Sequence, residues 1–178
     1  MFEKIKSIVV TKSELQNKVS DLAKQISTDY QGEELILVGV LKGGFVFLAD
    51  LAKEISIPVC IDFISVSSYG NSSKSSGVVR LIKDIDIDVT NKHVLLVEDL
   101  IDTGLTLSYL KELFKTRNPK SVKVCTILDK PAKRLIQLAV DYPGIEIPDK
   151  FVIGYGLDYA EKYRNLPEVY ELSLEKHP

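Results

Sequence analysis

Apolar residues recur along the chain in two rhythms. Leu15, Val19, Leu22, Ala23 and Ile26 fall at the three- and four-residue spacing that lines one face of a helix. The preceding Thr11-Lys-Ser-Glu14 is a capping box, in which the Thr11 hydroxyl accepts from one orphan backbone N–H and Glu14 reaches back to another. A helix is therefore predicted from Thr11 to about Tyr30, interrupted by Gly32. Leu35 to Val40 is an unbroken apolar run of the length expected for a strand buried on both faces. After Leu41-Lys42-Gly43-Gly44, helical spacing returns at Leu48, Leu51, Ala52 and Ile55, and Pro58 punctuates the chain before a β-rich stretch, Val59 to Val66. Residues 65–77 are small and polar and read as a connection, with Val78 to Ile82 pairing back as a strand. His93 to Val97 and Val122 to Leu128 are further buried strands, separated by an acidic loop and a helix from about Gly104 to Lys115 that uses Leu107, Leu110 and Phe114. Lys133 to Val140 gives a short helical pattern, and Phe151 to Gly154 a late strand before a Tyr-rich tail.

Strands alternating with helices at short spacing imply βαβ units with right-handed crossovers, hence an α/β fold built on an open, mostly parallel twisted sheet flanked by helices. In such sheets ligands bind beyond the carboxyl ends of the strands, so the loops after strands are where chemistry is expected. The 178 residues leave room for a single domain, 1–178, and 45% hydrophobic with 27% charged residues is an ordinary globular composition. Twenty-three Lys and Arg against 25 Asp and Glu give a net charge of −2, too balanced for a protein whose main partner is a nucleic acid backbone. Glu3, Lys4 and Lys6 deny Met1 to Val10 the apolar core of a signal peptide, and no run approaches the roughly 18 to 20 apolar residues of a membrane span. A cytoplasmic protein with no membrane partner is expected. Cys60 and Cys125 are too few for a disulfide scaffold or a zinc knuckle, and their apolar surroundings predict reduced core residues.

Chemistry concentrates in Val94-Leu-Leu-Val-Glu98-Asp99-Leu-Ile-Asp102-Thr103-Gly104-Leu105-Thr106. A buried strand runs into two adjacent carboxylates, a third follows three residues later, and a loop of hydroxyls and glycine then opens a helix. Backbone N–H groups at that helix start, with the Thr103 and Thr106 hydroxyls and a flexible Gly104, can wrap a phosphate monoester where the helix dipole favours an anion. Carboxylates repel phosphate, so Glu98 and Asp99 need another object: a vicinal diol or a divalent cation. A phosphate and a diol one turn of chain apart describe a ribose 5-phosphate, with Asp102 near the sugar's reacting carbon. One acid after a strand merely solvates its end; three acids interleaved with Thr-Gly-Leu-Thr point to function. Other readings of these letters fail. Asp84-Ile-Asp-Ile-Asp88 lacks the glycine and the closing Glu of a calcium loop, Gly39-Val-Leu-Lys-Gly43 lacks Walker spacing, and a receiver domain carries its acid pair after the first strand.

Residues 94–106 resemble the phosphoribosyl pyrophosphate motif of type I phosphoribosyltransferases, and Glu98-Asp-Leu-Ile-Asp-Thr-Gly-Leu-Thr106 is close to the hypoxanthine-guanine version of it. Further markers follow in order. Leu41-Lys42-Gly43-Gly44 is similar to the family's pyrophosphate loop, Ser68-Tyr69 to its catalytic lid, Lys130 to its base-selecting lysine, Phe151-Val152 to its purine-stacking segment, and Asp158 and Arg164 to its late metal-linked and pyrophosphate-contacting positions. The resemblance spans about residues 8 to 170. It implies the type I phosphoribosyltransferase fold, with a small hood formed by the terminal segments, and transfer of 5-phosphoribosyl from phosphoribosyl pyrophosphate to N9 of a 6-oxopurine.

The same resemblance implies roles for individual residues. Asp102 is the general base at the purine N7; Leu41, Lys42, Gly43 and Arg164 face the pyrophosphate, and in this family the peptide joining the positions of Leu41 and Lys42 can be cis. Leu100, Ile101, Thr103, Gly104, Leu105 and Thr106 line the phosphoribosyl site, although Leu105 stands where some relatives have a lysine. Mg²⁺ is the implied cofactor, with Glu98, Asp99 and Asp158 as its acidic neighbours. Lys130 can donate to a 6-oxo acceptor but cannot accept from a 6-amino group, which disfavours adenine. A homodimer or homotetramer is implied. Two alternatives stand beside this reading: a nucleotide-sensing regulator that binds nucleic acid, for which the chain has neither spare length nor positive charge, and an enzyme preferring xanthine.

Overall fold

The computed structural model describes residues 2–68 and 79–175. A six-stranded sheet forms its centre, built from β2 (Leu35–Leu41), β3 (Val59–Ser68), β4 (Val79–Lys83), β5 (His93–Ile101), β6 (Ser121–Asp129) and β7 (Ile145–Glu146) in the order β4-β3-β2-β5-β6-β7. All neighbours in it are parallel except the β3–β4 pair. Successive residues of a strand point to opposite faces, and the apolar runs use both. Leu35 and Leu37 of β2 and Leu95 and Val97 of β5 pack with helices α1 (Lys12–Asp29) and α2 (Phe45–Glu54). Ile36, Val38, Val94 and Leu96 pack with Leu107, Leu110 and Phe114 of α3 (Leu105–Lys115) on the other face. An unbroken apolar run is what a strand needs when helices cover both its faces.

The capping box at Thr11 is present, with Glu14 N–H donating to the Thr11 hydroxyl and Thr11 N–H to the Glu14 carboxylate at 2.8 Å. A second, three-stranded antiparallel sheet joins the chain's two ends: β1 (Phe2–Val10), β9 (Val169–Glu175) and β8 (Val152–Ile153), in the order β1-β9-β8.

Several local readings need correction. Lys133 to Val140 is not helical. Pro131–Lys133 makes one 3-10 turn, and beyond it Leu135 N–H donates to Thr103 O while Asp141 and Tyr142 N–H both donate to Val124 O, so backbone donors go to neighbouring strands and loops. β5 does not stop at Val97 but continues through the acids to Ile101, pairing Glu98 with Thr126 and Ile101 with Asp129. Cys60 is exposed on β3, and only Cys125 is in the core. The acidic run 84–88 is tied down by protein groups: Asp84 takes both guanidinium nitrogens of Arg117 at 2.8 Å, and the buried Asp62 carboxylate accepts from the N–H groups of Phe63, Asp86 and Ile87. Most of residues 65–77 and Val78, including Tyr69 of the expected lid, lie outside the described residues; Ser68 ends β3.

Candidate active site

The carboxyl ends of β2, β5 and β6 meet the late segment 149–164 around two adjoining cavities. One, of about 230 Å³, is lined by Leu41, Glu98, Leu100, Ile101, Asp102, Thr103, Gly104 and Thr106. The other, of about 450 Å³, is lined among others by Lys42, Gly43, Asp99, Lys130, Phe151, Val152, Asp158 and Arg164. Leu100 and Asp102 line both. The fold thus gathers nearly every residue singled out from the sequence. Leu105 is the exception on the phosphate side, since it lines neither cavity.

At the smaller cavity, Gly104 is the N-cap of α3, with φ 84° and no side chain of its own to offer, and Leu105 N–H donates to the Thr103 hydroxyl at 3.4 Å, so the helix start and its dipole face the cavity. A left-handed residue here favours glycine, and a Cβ would also sit 3.2 Å from the Arg134 side chain. Arg134 itself is held by an ion pair with Asp129. Asp102 occupies the junction of the two cavities, and its Oδ1 is buried without a hydrogen-bond partner. An unpaired buried carboxylate oxygen costs about 1–3 kcal/mol, so it calls for an explanation in ligand chemistry.

Glu98 and Asp99 are neighbours in the last part of β5 and are both buried. Burial, and then the Asp99 carboxylate beside it, push the Glu98 carboxyl well above the usual range; burial also raises that of Asp99. Among the described residues no three His, Cys, Asp or Glu side chains converge as a preformed metal cage. Asp158 is already engaged, with Oδ1 2.9 Å from Arg164 and Oδ2 accepting from Glu161 N–H at 2.9 Å.

The larger cavity has a basic rim and an aromatic wall. The Leu41–Lys42 peptide is cis. Gly43 passes so close to Asp99 that a Cβ would fall 1.7 Å from its Oδ2, and a Cβ on Gly156 would fall 2.1 Å from Gly43 O. Two glycines thus let the β2 loop, the end of β5 and the late segment touch. Arg164 donates to Gly156 O at 2.8 Å, and Lys42 pairs with Glu161 at 2.9 Å.

Lys130 is 6% exposed and donates to Lys150 O at 2.6 Å; burial pulls its ammonium below the usual lysine range, partly offset by Asp102. Phe151 is 48% exposed, not core, and meets Tyr159 edge to face at 5.8 Å. Phe151 O accepts from Leu172 N–H in the small sheet. Peptide groups alternate in direction along an antiparallel strand, so the Val152 N–H and C=O point away from β9 to the open edge of the small sheet. Sequence reasoning missed Tyr159, Tyr155 and Glu161, whose signals are tertiary: a ring contact, a hydrogen bond to α2 and an ion pair reaching 119 residues back.

Comparison with known proteins agrees with this geometry. The family model described as "Phosphoribosyl transferase domain" matches residues 11–160. The chain is 50% identical over 165 residues to the hypoxanthine-guanine phosphoribosyltransferase of Bacillus subtilis, covering 93% of this chain and 92% of that protein. It is 45% identical over 180 residues to the Mycobacterium tuberculosis (strain H37Rv) protein of the same name, covering 94% and 89%. Among solved structures, a hypoxanthine-guanine phosphoribosyltransferase from Bacillus anthracis superposes with TM-score 0.90 at 49% identity, over 97% of this chain and 100% of that one. A hypoxanthine phosphoribosyltransferase from Staphylococcus aureus gives 0.91 at 44%, over 95% and 92%. With the fold and about half of its residues held in common with such proteins across nearly the whole length, the chain belongs to the hypoxanthine-guanine phosphoribosyltransferase family.

Proposed function

We propose that this phosphoribosyltransferase transfers 5-phosphoribosyl from phosphoribosyl pyrophosphate to N9 of hypoxanthine or guanine, giving IMP or GMP and pyrophosphate, as a purine salvage enzyme of the cytoplasm. The observation that carries the reading is Asp102: a buried, unpartnered carboxylate oxygen where the phosphate-type cavity meets the basic, aromatic one. That is where a base must stand to take a proton from a purine while C1′ of the sugar is attacked.

The remaining roles follow from position. The 5′-phosphate sits on the 103–106 loop and the α3 start, where donors and helix dipole favour an anion. Glu98 and Asp99 accept from the ribose hydroxyls. Phe151 presents a face for the purine, Lys130 donates to its 6-oxo group, and the outward Val152 peptide reads the opposite edge. Lys42, Gly43 and Arg164 receive the pyrophosphate. The buried acid pair fits a Mg²⁺ neighbourhood: Asp99 lines the larger cavity directly, while Asp158 would contribute in exchange for its Arg164 contact. When bound, Mg²⁺ neutralises charge on the leaving pyrophosphate. The small terminal sheet serves as the hood, and the working unit is a homodimer or homotetramer.

The test mixes purified protein with phosphoribosyl pyrophosphate, Mg²⁺ and each of hypoxanthine, guanine, xanthine and adenine, following nucleotide formation by chromatography beside a Mg²⁺-free control. Product from hypoxanthine or guanine but not adenine is expected. Binding of a nucleotide with no product from any base would overturn the enzyme reading in favour of a sensor.

A further inference from the structure

Lys42 and Arg164, the cations assigned to the pyrophosphate, are not waiting empty-handed. One oxygen, Glu161 Oε2, accepts from Lys42 Nζ at 2.9 Å and lies 3.4 Å from the Arg164 guanidinium. An anionic oxygen shared by two cations from separate loops is the arrangement a phosphate oxygen would itself take. We propose, on the strength of the phosphoribosyltransferase reading above, that Glu161 is a displaceable counter-anion of the pyrophosphate subsite. It holds Lys42 and Arg164 while the subsite is empty, yields them to pyrophosphate, and reclaims them as pyrophosphate leaves.

The backbone supplies an independent observation. Tyr159 and Lys162 exchange hydrogen bonds across a two-residue turn, with N–H to O distances of 3.2 and 3.1 Å. The central residues, Ala160 and Glu161, both have positive φ, 51° and 65°. Such a turn favours Asn-Gly, and neither position here is occupied by Asn or Gly. A costly conformation at a site edge is a pointer to function, and here it keeps a carboxylate within reach of both cations.

The pairing is also of the strength displacement needs. Lys42 and Glu161 side chains are 64% and 66% exposed, so solvent screens the pair and it exchanges readily. Arg164 does not depend on Glu161 for its place, because its other terminal nitrogen donates to Gly156 O at 2.8 Å. Glu161 can therefore move away without disordering the guanidinium it releases.

The experiment titrates inorganic pyrophosphate with Mg²⁺, and separately GMP, into wild-type, Glu161→Gln and Glu161→Ala protein by calorimetry, with KM for phosphoribosyl pyrophosphate measured alongside. Removing an internal competitor that makes two exposed ion pairs is expected to tighten pyrophosphate binding by about 3- to 30-fold in both variants. KM should fall in parallel, GMP affinity should stay within about twofold, and Glu161→Asp should recover part of the wild-type value. Unchanged or weaker pyrophosphate binding in both variants, with nucleotide formation intact, overturns the counter-anion. Wild-type protein that neither binds pyrophosphate nor forms nucleotide overturns the functional reading, and the counter-anion with it.

Discussion

At the scale of single residues, the site is marked by groups placed against their own stability. Asp102 keeps a carboxylate oxygen buried and unpaired, and Lys130 holds an ammonium that burial disfavours. Asp102→Asn should slow transfer by roughly 100- to 10,000-fold, the usual worth of a general base. It should leave GMP binding in place, and since no hydrogen bond of Oδ1 is lost while the Asp102 charge no longer favours the Lys130 ammonium, the melting temperature should change little. Calorimetry and initial rates decide it; turnover near wild type would move the base elsewhere. Glu161→Gly makes the complementary case. Glycine accepts positive φ without the penalty of a Cβ, so the variant should gain about 0.5–1 kcal/mol of stability against urea. These positions differ in how visible they are in sequence. Asp102 is legible because its neighbours at 98–106 are contiguous, whereas Glu161 is one charge in a Tyr-rich tail until folding brings Lys42 to it.

At the scale of elements, what could be read was what is local. α1, β2 and α3 declare themselves by periodicity and capping, since each is specified within about twenty residues of chain. β1 escaped because its alternation is broken: Ile5 and Ile8 are both exposed, the register slips between them, and the partner strand lies at the far end of the chain. The false helix at 133–140 failed for the opposite reason, its apolar spacing being real but the Leu135 N–H within it going to Thr103 O, and the Asp141 and Tyr142 N–H groups just after it to Val124 O. Asp62 has the same tertiary character. Burial alone would raise its carboxyl, yet N–H groups of Phe63, Ile87 and Asp86, with Lys83, bring it below the usual value. A depressed carboxyl stabilises the fold above the unfolded pKa, near 4, and that stability is lost as pH falls through the lower folded value. Asp62→Asn should therefore cost about 1–3 kcal/mol at neutral pH, with the gap to wild type closing below about pH 4 in urea melts. Gly43→Ala tests how tightly β2 and β5 meet. Its Cβ would fall 1.7 Å from Asp99, so the variant should lose most transferase activity while α1, far from the loop, keeps its helical circular dichroism signal.

At the scale of the whole molecule, two sheets must be held in a fixed relation for the pyrophosphate subsite to exist, because Lys42 leaves the central sheet and Arg164 lies between β8 and β9 of the small one. Tyr155 is the fastener. Its hydroxyl donates to Asp50 of α2 at 2.9 Å, and burial, then the Asp50 charge, push the phenol far above its usual range, so it remains a donor at any working pH. The next residue, Gly156, rests on Gly43 and accepts from Arg164. This hydrogen bond thus helps to hold a loop after β2 beside a cation from the other sheet. Tyr155→Phe keeps the ring and removes only that bond, so stability should drop by about 0.5–1.5 kcal/mol. If the bond orders the subsite as well as the fold, KM for phosphoribosyl pyrophosphate should rise by up to ~10-fold, while kcat changes little and GMP loses less affinity than pyrophosphate, since Asp102 and the 103–106 loop follow the central sheet and only the purine of GMP meets Phe151 and Val152 at the small one. Equal losses in GMP and pyrophosphate affinity would instead mean that the two sheets lose their relation everywhere, and that Tyr155 supports the fold without singling out the subsite.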